Sequence, residues 1–122
     1  MGQVHVTAQL SDLAENHPPY EEEFLVDTGA IDCMAPGDQL RLAGMAVEGE
    51  NIYELASGES DKYEYGFARG SFMGFETVTQ VMFGPDACEP IIGVVALENV
   101  GISVDPVSRT LKKVAARPLK RL

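Results

Sequence analysis

The sequence predicts an all-β domain, a small closed or partly closed β-barrel with one or two short helices. Three observations predict it. Apolar side chains alternate with polar ones in short runs, the two-residue period of half-buried strands. Twelve glycines punctuate the chain and keep its elements short. Helix-like patterning is confined to two brief stretches, 36–43 and 94–100. At 122 residues the chain fits one domain, 1–122, with a proper core and no room for a second.

The elements follow in order. Val4, Val6, Ala8 and Leu10 share one face of a first strand, with His5 on the other. Pro18 and Pro19 break the pattern into a turn holding His17. Residues 21–26 form a second strand. Its apolar end, Phe24-Leu25-Val26, reads as buried on both faces. A short third strand covers 33–35, and Gly44 closes the helical turns after it. Tyr53 and Leu55, a Ser57-Gly58-Glu59-Ser60 turn, then Tyr63, Tyr65 and Phe67 describe a hairpin with an aromatic return strand. Residues 67–73 and 77–83 supply further strands around Gly74. Ile91-Ile92 is a short buried strand, 94–100 a short helix stopped by Gly101, and 111–115 the last strand.

A net charge of −10 argues against nucleic acid and anionic membranes as partners. The acids crowd the first half. Arg109, Lys112, Lys113, Arg117, Lys120 and Arg121 make the end of the chain basic, with 116–122 read as a tail that offsets the acidic body. No stretch is apolar enough to span a membrane and no basic-then-apolar leader is present, so the expected location is cytoplasmic. Cys33 and Cys88 stand far apart, without metal-ligand spacing, and read as reduced thiols. Neither a metal nor a cofactor is expected.

The chemistry concentrates in Leu25-Val26-Asp27-Thr28-Gly29-Ala30. A core strand delivers a carboxylate to its end, where burial disfavours the charged form. A hydroxyl follows, then a glycine that lets the backbone turn sharply. Taken alone, the trio also fits an Asx turn whose acid satisfies local N–H groups. Ile91-Ile92-Gly93 and the helix-like stretch behind it add a second signature.

Together these motifs resemble the retropepsin-like aspartic proteases, over roughly residues 3–115. The resemblance implies a barrel of the retropepsin-like acid protease type. It also implies an aspartic endopeptidase that activates water between two carboxylates. This chain has one Asp-Thr-Gly. Asp105, lacking the hydroxyl and glycine, reads as a turn residue before the last strand. The second carboxylate would then come from another copy, so the implied enzyme is a homodimer. Asp27 would be the catalytic acid. Thr28 would lock the two loops across the two-fold, and Gly29 would donate its N–H to the carboxylate. Ala30, Ile31, Ser57, Gly58 and Ile91 would contact an extended peptide or protein substrate. Ile92 and Gly93 would support the active-site loop.

Two departures from the retroviral pattern are visible. An acid usually follows Asp-Thr-Gly-Ala directly, whereas here Ile31 intervenes before Asp32, which moves the side chain to the opposite face. The hairpin at 57–61, which matches the flap by position, is acidic and carries one glycine. Two other readings stay open: a catalytically silent retropepsin-like domain for dimerisation or peptide binding, and an unrelated small β-barrel binding module.

Overall fold

The computed structural model describes residues 3–105 and 107–114. The expected basic tail 116–122 and the Ala115 end of the last strand lie outside them. The fold is all-β with two short helices, its main sheet curled into a partly closed ring.

Strand β1 (His5–Ser11) pairs antiparallel with β2 (Tyr20–Val26), which ends at the Asp27 loop. After β3 (Cys33–Pro36) and helix α1 (Gly37–Leu42), β4 (Gly49–Glu54) and β5 (Ser60–Phe72) form a hairpin. Next come β6 (Phe75–Gly84), β7 (Ile91–Ile92), helix α2 (Val94–Asn99) and a ribbon of β8 (Ile102–Asp105) and β9 (Thr110–Lys113). The sheet order is β1-β2-β7-β3-β6-β5-β4, and a further β1–β5 pairing bends it back on itself. Among the described residues no helix is long and apolar enough to cross a membrane.

The ring depends on the length of β5. The sequence pattern divides residues 60–72 into two strands, but they form one. Along one edge this strand pairs first with β4, from Ser60 to Tyr65, and then with β1, from Arg69 to Phe72. Its other edge pairs with β6 from Tyr65 onward. A single strand therefore joins the outer hairpin to the ring. The β5–β6 connection is a two-residue turn in which Met73 (φ 54°) and Gly74 (φ 79°) both have positive φ, as type I′ demands.

Inside the ring, alternate residues of each strand meet: Leu10 of β1, Phe24 of β2, Ala35 of β3, Ala68 and Phe72 of β5, Val81 of β6 and Ile92 of β7. Leu40 of α1 and Leu97 of α2 close the core from outside the sheet. Phe24 is fully buried, worth about 1.5–3 kcal/mol of transfer free energy. The expectation that the whole Phe24-Leu25-Val26 triplet is buried is corrected here. Leu25 and Val26 are only half-buried, because they flank an open cleft beside Gln3, Val4 and Val104. Cys33 is buried and Cys88 half-buried, and both thiols are free.

Candidate active site

The site is built where β2 stops. β7 lies between β2 and β3, parallel to the first through Leu25↔Ile91 and Val26↔Ile92 and antiparallel to the second at Met34↔Ile91. The chain must therefore cross over the end of β7 between 27 and 32, and that crossing is the Asp27 loop. Its start is fixed by the Asp27 N–H, which donates to the Ile92 carbonyl at 3.0 Å. Within the loop, Ala30 N–H donates to the Asp27 carbonyl (3.1 Å) and Gly29 N–H to the Asp27 carboxylate (Oδ1, 2.9 Å).

Helix α2 supports the loop from behind. The first N–H groups of a helix have no partner within it, and no side chain caps this one. The loop supplies the acceptors: Val94 N–H donates to Ala30 O at 2.8 Å and Val95 N–H to Ile31 O at 3.2 Å. This contact needs a glycine at the junction. A Cβ on Gly93 would lie 2.5 Å from the Ile31 carbonyl oxygen and 2.6 Å from that of Asp32. Ile92 anchors the loop and Gly93 admits the helix. Sequence elements some sixty residues apart thus meet in one hydrogen-bonded unit.

The Asp27 carboxylate is half-buried, and Thr28 and Gly29 are exposed. Asp27 and Thr28 border the cleft with Leu25, Val26 and Val104. Burial of Asp27 within the single chain is thus less than its apolar neighbours imply, since those neighbours are themselves partly open. Asp105 has another role. Its Oδ1 accepts the N–H of Val107 at 2.9 Å and of Ser108 at 3.3 Å. The Ser108 and Val107 bonds hold its carboxyl below the usual aspartate range, as in an Asx turn.

Beyond Gly29 the loop opens into a groove of about 530 Å³. Ala30, Ile31 and Asp32 form one wall and Ile52–Ala56 the other, with Met34, Tyr63 and Met82 between. Ile31 is 66% exposed on the rim. The Tyr53 hydroxyl donates to Asp32 Oδ2 at 3.0 Å, linking the β4–β5 hairpin to the Asp27 loop. Burial first, with the Asp32 charge adding to it, pushes the Tyr53 phenol above its ordinary value, so it remains a donor. Ala30 and Ile31 thus face the groove. Ser57 and Gly58 sit at the hairpin tip and do not line it, and Ile91 is half-buried between β2 and β3.

The sequence reading missed Asp32, Tyr53, Tyr63 and Met82 as groove residues. One signal for the tyrosines was present: positions 53 and 63 fall on the same face of the hairpin, and their rings meet edge to face at 6.0 Å. A second, wider hollow of about 850 Å³ lies at Glu21–Glu23, Pro36 and Ala87–Pro90, and shares no lining residue with the Asp27 loop. Among the described residues no cluster of His, Cys, Asp and Glu is suited to a metal ion. A scan against models of known protein families finds no match, and a search of curated proteins finds none.

Proposed function

We propose that this chain is one half of a retropepsin-like aspartic endopeptidase, completed by a second copy across a two-fold axis. The observation that carries this reading is the Asp27 loop. Its carboxylate is oriented by the Gly29 N–H, its backbone is held by Ile92 and by the first N–H groups of α2, and its carboxylate side is open. An ordinary Asx turn needs only the local bonds and gives no reason for the Ile92-Gly93-α2 support.

The chemistry then requires two Asp27 side chains sharing one proton, since two like charges at contact distance do not both ionise readily. The ionised carboxylate takes a proton from water as the oxygen attacks the scissile carbonyl. The protonated partner gives its proton to that carbonyl oxygen, and collapse of the tetrahedral intermediate returns a proton to the leaving amine. The half-buried Leu25, Val26 and Val104 beside Asp27 provide apolar surface that a second copy would cover. An extended peptide would lie along the groove, and Ala30 and Ile31 would contact its side chains.

The second reading, a peptide-binding or dimerisation domain without turnover, has one observation in its favour. The groove is walled by Ile52–Ala56 rather than by the hairpin tip, so it would hold a peptide without a closing flap. Digestion of a peptide library at mildly acidic and neutral pH, with Asp27→Asn as the matched control, separates the two. Asn is nearly isosteric but cannot share the proton, so cleavage is expected to disappear while the assembly stays folded. Cleavage that persists in the variant assigns the activity to another group.

A further inference from the structure

The groove beside the Asp27 loop has a polarity that the peptidase reading leaves unexplained. Most of its lining is apolar, with Ala30 and Ile31 in one wall, Ile52 and Leu55 in the other and Met34 between. Beside Ile31 in the same wall stands Asp32, half-buried, one carboxylate oxygen fixed by the Tyr53 hydroxyl at 3.0 Å. Among the described residues no cation pairs with Asp32, nor with Glu54 in the same groove.

The surroundings carry the same sign. The β4–β5 hairpin bearing the groove wall holds Glu50, Glu54, Glu59, Asp61 and Glu64, against Lys62 and, at the far end of β5, Arg69. Glu64 is engaged by Arg41 at 2.6 Å, and the rest add to a chain charge of −10. Such a field concentrates cations at a concave surface. A long side chain with an apolar stem and a charged head matches both features, since its stem can lie along apolar walls while its head stays hydrated or paired.

We propose that this groove takes a lysine or arginine side chain of an extended peptide, with its stem against Ile31, Met34 and Leu55 and its head at Asp32. The substrates of the proposed peptidase are then basic segments, an inference that rests on that reading for the groove being its peptide site. A purely aliphatic side chain fills the walls but leaves Asp32 without a partner, and a glutamate meets like charge. A charge-assisted hydrogen bond to a half-buried carboxylate corresponds to about ten-fold in affinity.

The test uses the full-length Asp27→Asn protein, so that peptides bind without being consumed. Fluorescence anisotropy is measured with labelled peptides that differ at one scanned position: Lys, Arg, norleucine, acetyl-lysine or Glu. At one position Lys and Arg are expected to bind about ten-fold tighter than norleucine, with Glu weakest and acetyl-lysine falling to the norleucine level. Adding Asp32→Asn is expected to erase the preference, so that Lys and Arg bind no tighter than norleucine to the same variant. Norleucine equal to Lys at every position, binding by none of the peptides, or a preference that survives Asp32→Asn overturns the proposal. Should that variant not fold, the acetyl-lysine comparison decides alone, because it removes the charge without altering the protein. Turnover by the unmutated protein is scored separately. Preference without turnover keeps the groove assignment and removes the peptidase, and turnover without preference does the reverse.

Discussion

Gly93 shows how much can depend on one missing side chain. The carbonyl oxygens of Ile31 and Asp32 lie within 2.6 Å of where a Cβ would be, and both belong to backbone that cannot rotate away. Gly93→Ala must push α2 off the Asp27 loop, at about 1–3 kcal/mol. The thermal midpoint is expected to fall and any peptidase activity to fall with it; an unchanged midpoint contradicts the packing described here. Asp12 offers a second residue-scale test. Burial pushes its carboxyl upward, but the Asn16 and His17 N–H groups, with the His17 ring beside them, outweigh burial and hold it below the ordinary value of 3.8. A folded value below the unfolded one contributes stability that is complete above 3.8 and is lost as pH falls through the folded value. The parent and Asp12→Asn are therefore expected to differ in thermal midpoint near neutrality and to converge in acid. A gap that persists to about pH 2 contradicts this.

Among the elements, the β5–β6 turn is the most direct to probe. Met73 holds φ 54°, a region that glycine and asparagine adopt more readily than methionine. Met73→Asn should stabilise the hairpin by about 0.5–1 kcal/mol, and Gly74→Ala should destabilise it by a similar amount. Chemical denaturation of both variants checks the pair, and equal midpoints would contradict the turn assignment. The elements also show what was legible beforehand. β1, β2, β3, α1, β7 and α2 follow from the alternation 4–10, the break at Pro18-Pro19, the Asp27 motif and the glycines at 44 and 101. The continuity of β5 was not legible. Gly66 and Gly70 interrupt its apolar pattern, and the reason for Gly66 lies outside the strand's own sequence, in the Ala46 carbonyl that leaves no room for a Cβ. Asp32 was visible as a departure from the retroviral order, but its bond to Tyr53 joins residues twenty-one apart through a groove that no local pattern encodes. The half-exposure of Leu25 and Val26 escaped for a similar reason: apolar character says that a side chain is better covered, not which surface covers it.

For the whole molecule, the central claim is that a working site takes one Asp27 from each of two copies. The open carboxylate side of the loop and the uncovered apolar surface beside it make one chain half of a site under this account. The most direct measurement mixes parent and Asp27→Asn chains, unfolds and refolds them together, and follows peptide cleavage at constant total protein. If each site needs two intact carboxylates, only parent–parent pairs work, and activity follows the square of the parent fraction, about one quarter at an equal mixture. Activity proportional to the parent fraction, about one half at that mixture, would show that a single chain suffices and would contradict the account.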